Sequence, residues 1–196
     1  MSKFNGTKTD NAKINAKIDL RNNILNLFEE KKVLEVFCGS GEMYRDVWHV
    51  ADSYTGVDIK KQFDERNTIC GDALKVVSTI DIDNYNIFDI DAYGSPYEVL
   101  NVILNRYQGG SKRLAFILTD GINMDLKMGR ICKGVRSIID IDSHILKKAN
   151  NIHGMIIEDV VSCVAGRMGA KVIHKQFAKG VTGAAMRYYA FVLERD

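Results

Sequence analysis

Nine residues decide the fold class: Val33-Leu34-Glu35-Val36-Phe37-Cys38-Gly39-Ser40-Gly41. The first five are apolar except for Glu35, which is typical of a short strand buried inside a parallel sheet. The run stops at two glycines separated by one residue, and glycines permit a tight turn and the close approach of backbone to a ligand. Residues 42–50 then predict a helix. A buried strand that runs into a glycine turn and a helix indicates an α/β protein.

The same strand-then-helix unit repeats along the chain. The alternation predicts a mainly parallel sheet covered by helices. The predicted strands span residues 33–37, 53–57, 68–70, 85–90 and 113–118, and the predicted helices 42–50, 73–80 and 96–106. After an apolar helix at 152–168, strands at 170–177 and 186–193 are joined by a glycine-containing loop. They predict a hairpin, so we expect the sheet to end with one antiparallel strand.

Length and composition favour a single domain over residues 1–196. A chain of 196 residues with 46% hydrophobic side chains can bury a core of its own. The formal net charge of +2 excludes a strongly basic protein that coats nucleic acid. Residues 1–20 read as a polar lead-in, with helix-like spacing from Ile18. Residues 122–151 are the least regular stretch and predict a substrate-side insertion.

Several classes of protein are excluded by what the sequence lacks. No apolar run approaches the ~18 residues of a membrane-spanning helix, and the polar N-terminus lacks the apolar segment of a signal peptide. The four cysteines form no CxxC pair and the histidines no close pair, so we expect reduced thiols and no metal. These features predict a cytoplasmic protein without a membrane partner.

Acidic side chains follow four of the five predicted parallel strands. Asp58, Asp72, Asp91 and Asp120 come at or just after strand ends. Because ligands of an open α/β sheet bind beyond the carboxyl ends of its strands, we expect these acids to form one constellation. The glycine turn itself is not a dinucleotide fingerprint, since Tyr44 stands where G-x-G-x-x-G requires its last glycine. A role in phosphate binding is therefore not favoured.

These ordered motifs resemble class I S-adenosylmethionine-dependent methyltransferases over residues 33–121. Residues 33–41 look like the first motif of that family, Asp58 falls where its members place the acid for the ribose hydroxyls, and Gly71-Asp72-Ala73 looks like the adenine motif. The resemblance implies an enzyme with S-adenosyl-L-methionine as cofactor. It implies a Rossmann-like class I methyltransferase fold, a seven-stranded mainly parallel sheet with one antiparallel strand in a C-terminal hairpin. The cofactor-binding residues that it implies are Glu35, Phe37, Cys38, Gly39, Gly41, Asp58, Ile59, Asp72 and Ala73.

A further motif narrows the resemblance. Residues 89–96, Asp-Ile-Asp-Ala-Tyr-Gly-Ser-Pro, are similar to the D-x-D-P-[FY]-G-S-P segment of the tRNA (guanine-N2-)-dimethyltransferase family, from which they depart by Ala92 in place of proline. Phe37 stands where many methyltransferases have a glycine. The resemblance implies methylation of an exocyclic amino group of a nucleic-acid base, guanine N2 in RNA or tRNA, with tRNA as the substrate partner. It leaves room for an accessory recognition subunit, because no recognition domain is evident.

The chemistry of an amino nitrogen gives Asp91 and Tyr93 catalytic roles. The lone pair of such a nitrogen is delocalised into the base, and a carboxylate that accepts its N–H returns electron density and can later take the proton. The tyrosine ring offers a face on which a base stacks, worth about 1–3 kcal/mol. In the insertion, Lys127 and Arg130 begin a basic series that continues with Lys133 and Arg136, and they are candidates for contacts with phosphates.

Each of these roles has a structural alternative. Asp58 is either a ribose ligand or a helix cap, and Asp72 and Asp91 are alternatively caps of the helices that follow them. Asp89 is as readily structural as functional, and Cys38 is favoured as a small packing residue over a nucleophile. Two other functions stay open, namely a protein or small-molecule methyltransferase, and a non-catalytic methyltransferase-like subunit that binds a partner.

Overall fold

A seven-stranded sheet forms the centre of the protein. The computed structural model describes residues 13–141, 152–178 and 186–196. The strands are β1 (Lys32–Val36), β2 (Ser53–Asp58), β3 (Thr68–Cys70), β4 (Ile87–Ile90), β5 (Arg113–Asp120), β6 (Ala170–Phe177) and β7 (Arg187–Arg195). The helices are α1 (Ile14–Leu25), α2 (Glu42–Asp46), α3 (Ala73–Val77), α4 (Tyr97–Arg106), α5 (Asn123–Lys127), α6 (Lys133–Arg136) and α7 (Ile152–Arg167).

The sheet has the order β3-β2-β1-β4-β5-β7-β6. Neighbouring strands from β3 to β5 pair in parallel, and β7 pairs antiparallel with both β5 and β6. The predicted fold is therefore confirmed, including the single antiparallel strand of the C-terminal hairpin. Strand order reverses between β1 and β4, and in sheets of this kind the crevice beyond that point binds ligands.

The central strands are apolar because helices cover both faces of the sheet. In β5 the side chains of Leu114, Phe116 and Leu118 enter the core cluster that contains α4 and α7. The alternate side chains Ala115 and Ile117 enter the second cluster, with α1 and the 3₁₀ turn Trp48–Val50. Burial on both sides explains why the predicted strands read as continuous apolar runs. Within the described ranges no helix has the length and apolarity needed to cross a membrane.

Two predicted elements differ from the structure. The predicted helix at 42–50 breaks at Val47, whose backbone leaves the helical region, into α2 and the 3₁₀ turn. The first helix begins at Ile14 and not at Ile18, so part of the predicted polar lead-in is helix. The hydrophobic pattern does not predict this part of the helix, because several of its inward-facing side chains are polar and bind partners inside the fold. The described part of the insertion contains α5 and α6, and residues 142–151 lie outside the described residues.

Phe37 has a left-handed backbone at the end of β1. It is the one non-glycine residue of the described ranges with a positive φ, 69°. Its N–H and that of Cys38 both donate to the carbonyl oxygen of Val57, at 2.8 and 3.1 Å, which holds the chain in this bend. A left-handed conformation costs a residue with a Cβ atom roughly 1–2 kcal/mol.

We predict that Phe37→Gly is more stable than Phe37→Ala, by about 1 kcal/mol. Both variants lose the phenyl ring and its packing, but only alanine keeps a Cβ atom in the left-handed region. At an ordinary strand end the order would be reversed, because glycine loses more conformational entropy on folding. Urea unfolding of the two variants measures the difference, and a more stable alanine variant would contradict the strained backbone.

Candidate functional site

Two cavities lie at the carboxyl ends of the parallel strands and share Phe37 as a wall. The Glu35 cavity has a volume of about 60 Å³, and the predicted residues that line it are Glu35, Phe37, Cys38, Gly39 and Asp91. The Asp58 cavity has a volume of about 270 Å³, and the predicted residues that line it are Phe37, Asp58, Ile59, Asp72 and Ala73. The structure thus brings most of the predicted site together around the strand order reversal.

The glycine turn is fixed by Asp58. One carboxylate oxygen accepts from the Gly39 N–H at 3.0 Å and the other from the Lys60 N–H at 2.8 Å. No helix follows Asp58, so the alternative of a helix cap does not hold. Gly39 has a φ of 48°, and apart from Gly39 itself and its two chain neighbours no atom lies within 4 Å of the place where a Cβ would be. The turn therefore presents bare backbone to open space, as a close-fitting ligand requires.

Arg66 completes the turn and was not singled out by the sequence. Its guanidinium donates to the carbonyl oxygen of Gly39 at 3.1 Å and pairs with Asp64 at 2.7 Å. It lies so close to Gly41 that a Cβ there would be 2.5 Å from the guanidinium carbon. Gly41, with a φ of 81°, lines neither cavity. Its role in the structure is to admit Arg66 and to begin α2.

Asp72 and its neighbours form the far wall of the Asp58 cavity. Asp72 caps α3, accepting from the Lys75 N–H at 3.0 Å, so the capping alternative is seen directly. The same residue lines the cavity together with the buried Ala73 and the exposed Ile59. The wall therefore combines a carboxylate with apolar surface.

Glu35 carries a carboxyl group that resists ionisation. It is 1% exposed and accepts a hydrogen bond from the Tyr54 hydroxyl at 2.5 Å. Burial and then the Asp89 carboxylate raise its pKa to about 8. Burial likewise raises the pKa of the Cys38 thiol to about 12, which agrees with packing and not with nucleophilic attack.

Asp89 is structural. Its carboxylate is completely buried and accepts two hydrogen bonds from Arg21, at 2.7 and 2.8 Å, and one from the Trp48 indole at 3.1 Å. Arg21 is itself fully buried in α1. The pair joins α1 to β4 below the site.

Asp91 faces the Glu35 cavity with a cation already beside it. Both of its oxygens accept from the Lys17 ammonium, at 2.8 and 2.7 Å, and Arg21 lies 3.8 Å away. Burial would raise the pKa of Asp91, but Arg21 and Lys17 hold it below its usual range. The N-cap residue of α4 is Pro96, which has no side-chain capping hydrogen bond, so Asp91 does not cap this helix.

The remaining strand-end acid is not open to a ligand. Asp120 is fully buried, where it accepts from the Tyr97 hydroxyl and from the Ile122 N–H, and His153 lies 2.9 Å from it. This corrects the expectation that all four strand-end acids share one constellation. The group ties β5, α4 and α7 together beside residues 91–96.

The predicted substrate contacts lie outside both cavities. The Tyr93 ring is 83% exposed, and Lys127 and Arg130 are exposed on and after α5. Arg130 pairs with Asp125 at 3.5 Å. Because Gly129 turns the chain with a φ of 70°, the basic series is divided between α5 and α6 and does not form one helical face. Among the described residues, no group of acids, cysteines and histidines is arranged to hold a metal.

Lys17 and Arg21, like Arg66, are residues at the site that the sequence analysis missed. Together with Lys13 they recur every four residues, which places them on one side of a helix. That four-residue spacing was the signal that the sequence offered for these residues. It indicated a basic helix face, but not that the face would meet carboxylates on β4.

Comparison with solved structures supports the fold. The plantazolicin methyltransferase BpumL, in complex with S-adenosylhomocysteine, is 13% identical, with a TM-score of 0.51 over 92% of this chain and 82% of that one. The N-methyltransferase NodS of Bradyrhizobium japonicum, also in complex with S-adenosylhomocysteine, is 9% identical, with a TM-score of 0.56 over 93% and 87%. A Lactococcus lactis protein proposed to be a hemolysin is 16% identical, with a TM-score of 0.60 over 94% and 88%.

At these identities the likeness establishes the architecture. The chain has the Rossmann-like fold that these class I methyltransferases share. No protein-family model matches the sequence, and no curated protein does. Because one fold serves many activities, the function has to be argued from the site.

We predict that Glu35→Gln flattens the dependence of stability on pH. A pKa of about 8 in the folded protein, against about 4.5 for an ordinary glutamate, means that the folded state binds the extra proton. The stability contributed by Glu35 is therefore fully present below the lower value and is lost as pH rises through the higher one. Glutamine still accepts from Tyr54 but cannot ionise.

Urea unfolding at pH 6 and pH 9 measures this effect. The wild type should lose more of its free energy of unfolding between the two pH values than Glu35→Gln does. The exposed Glu65→Gln is the matched control and should follow the wild type. Identical losses in all three proteins would show that Glu35 ionises normally.

Proposed function

We propose that this chain is an S-adenosylmethionine-dependent methyltransferase. The observation that carries the proposal is the pair of cavities on the two sides of one residue, Phe37. One cavity offers carboxylates and apolar surface, which suit a sugar and a base. The other offers a buried carboxyl and a lysine ammonium, which suit the two charged groups of an amino acid. S-adenosylmethionine has a nucleoside at one end and an amino acid at the other.

The residues present fit this cofactor. Asp58 would accept hydroxyl groups of the ribose, Asp72 would bind the adenine amino group, and Ile59 and Ala73 would contact the adenine ring. Glu35 would bind the ammonium group, whose positive charge lowers the cost of ionising a buried carboxyl. The open space in front of Gly39 would hold part of the cofactor, and a Cβ atom at this position would narrow that space. Similar folds that hold S-adenosylhomocysteine support the assignment.

Binding of S-adenosylhomocysteine tests the proposal. We expect the wild type to bind it at sub-millimolar concentration in calorimetry, and Asp58→Asn to weaken binding about tenfold or more, because the lost charge-assisted hydrogen bonds are worth ~1.5–3 kcal/mol. Asp159→Asn, at an exposed position on α7, is the control and should bind as the wild type does. No binding by a folded wild-type protein would overturn the assignment.

The substrate that the site supports best is an amine. The cofactor supplies a methyl group that is already electrophilic, so the chain has only to align a nitrogen and accept its proton. Asp91 is the acceptor at the right strand end. Its lowered pKa keeps it ionised at neutral pH, which suits a group that accepts the N–H of a weakly basic amine and then takes the acidic proton of the methylated nitrogen.

An RNA base, guanine N2 in the narrowest form of the proposal, is the first candidate for that amine. Tyr93 follows Asp91 by two residues, and its ring is exposed enough to stack on a base. Lys127 on α5 is exposed and suits a phosphate contact. A base within a duplex would first have to flip out of its stack.

A peptide or small-molecule amine is the second candidate. Arg130 is engaged by Asp125, so one of the two predicted phosphate contacts is already paired. The net charge of +2 gives no general attraction for nucleic acid. A non-catalytic subunit is the third reading, and a methylated product from the isolated chain eliminates it.

Transfer of labelled methyl groups to cell extract distinguishes these candidates. We expect label in RNA, lost after RNase treatment and kept after protease treatment, and we expect Asp91→Asn to lower transfer at least 100-fold without weakening cofactor binding, because positioned acid–base groups contribute about 10²–10⁴-fold. Asp159→Asn should leave transfer unchanged. Label lost with protease would favour a protein substrate, and an active Asp91→Asn would remove the catalytic role of Asp91.

A further inference from the structure

Lys17 binds Asp91 and at the same time lines the Glu35 cavity. Its ammonium binds both oxygens of Asp91, lies 5.2 Å from the centre of the Tyr188 ring, and lines the Glu35 cavity. Its side chain is 14% exposed, whereas that of Arg21 is 1% exposed. Lys17 therefore reaches the cavity from α1 without being sealed into the core.

The charges around the cavity make Lys17 the cation that is able to change partner. Arg21 is committed to Asp89 by two hydrogen bonds. Among the described residues that line the Glu35 cavity, Lys17 is the only cation, beside the acids Glu35, Glu42 and Asp91. A carboxylate that enters this cavity has Lys17 as its available positive partner there.

The small volume of the Glu35 cavity also favours Lys17 as the group that changes partner. About 60 Å³ holds only a few water molecules. The amino-acid end of a ligand would contact the side chains that line so small a space. The Lys17 side chain is long and flexible and is 14% exposed, so it is a lining group that can move.

We propose that Lys17 switches between Asp91 and the carboxylate of the amino-acid end of the cofactor. This inference rests on the proposed function. As the structure stands, both oxygens of Asp91 are occupied by Lys17, so an amine substrate would have to compete with an ammonium group. When Lys17 turns to the cofactor carboxylate, Asp91 becomes an open acceptor. Lys17 is thus a positioning residue that makes the site ready for substrate only after cofactor has bound.

A pair of ligands tests the first half of the proposal. S-adenosylhomocysteine carries the amino-acid end, and 5′-methylthioadenosine has the same nucleoside and sulfur without it. Lys17→Met should weaken S-adenosylhomocysteine about 10- to 100-fold, as expected for loss of a charged hydrogen bond, and leave methylthioadenosine unchanged. Lys17→Arg, which keeps the cation, should recover most of the affinity. Lys112→Met, before the amino end of β5, is the control and should bind both ligands normally.

A second variant tests the exchange of partners. Asp91→Asn releases Lys17, so it should tighten S-adenosylhomocysteine binding about threefold or more, since the cost of breaking the ion pair is gone. The neutral sulfur of this ligand avoids a direct effect of Asp91 on a sulfonium charge. In the Lys17→Met background, Asp91→Asn should have no effect on affinity. This double-mutant cycle does not depend on any variant losing activity.

The outcomes separate failure of the inference from failure of the proposed function. If the folded wild type binds neither ligand, the methyltransferase assignment fails, and the switch fails with it. If both ligands bind and Lys17→Met changes both equally or neither, the switch is wrong and the assignment stands. Weaker or unchanged S-adenosylhomocysteine binding by Asp91→Asn would also overturn the switch.

Discussion

The buried ion pair between Arg21 and Asp89 is the constraint on which the site depends. Both groups are sealed from solvent, and Trp48 donates a third hydrogen bond to the same carboxylate. Removal of one partner from such a pair costs about 3–5 kcal/mol, because the other charge is left buried and unpaired. The pair therefore fixes α1 against β4 with a precision that apolar packing alone would not supply. Lys17 lies one helical turn before Arg21, and Asp91 lies two residues after Asp89, so the same pair sets Lys17 opposite Asp91.

The pair also decides the charge state of the neighbouring acids. Glu35 on β1 lies opposite Asp89 on β4 in the sheet register. The guanidinium of Arg21 is hydrogen-bonded to Asp89. Glu35 is buried beside that carboxylate, and burial and then the carboxylate raise the pKa of Glu35. Asp91, at the open end of the strand, receives Lys17, and its pKa falls. Three acids in or just after one pair of strands thus differ in state: Asp89 is bound by Arg21, Glu35 resists ionisation, and Asp91 is held ionised beside Lys17.

The strands and the glycine turn were predictable because their signals are local. Buried runs such as residues 33–37 and 113–118 end at glycine or aspartate, and parallel topology then gathers their ends at one edge. The partners of those acids were not predictable, because Lys17 and Asp91 are separated by 74 residues and Arg21 and Asp89 by 68. For the same reason the burial of Asp120 by Tyr97 on α4 and His153 on α7 could not be inferred from its position at the end of β5.

The proposed site is built from two kinds of structure. Its proposed cofactor half consists of strand ends and a backbone turn at one edge of the sheet. Its proposed substrate half consists of Tyr93, α5 and α6, which line neither cavity and can vary without disturbing the sheet. Lys17 lies between the two halves, because it lines the Glu35 cavity and binds Asp91, the proposed acceptor of the substrate amine. In the switch that we propose, this one cation links the binding of cofactor to the opening of Asp91, because both of its proposed partners are carboxylates.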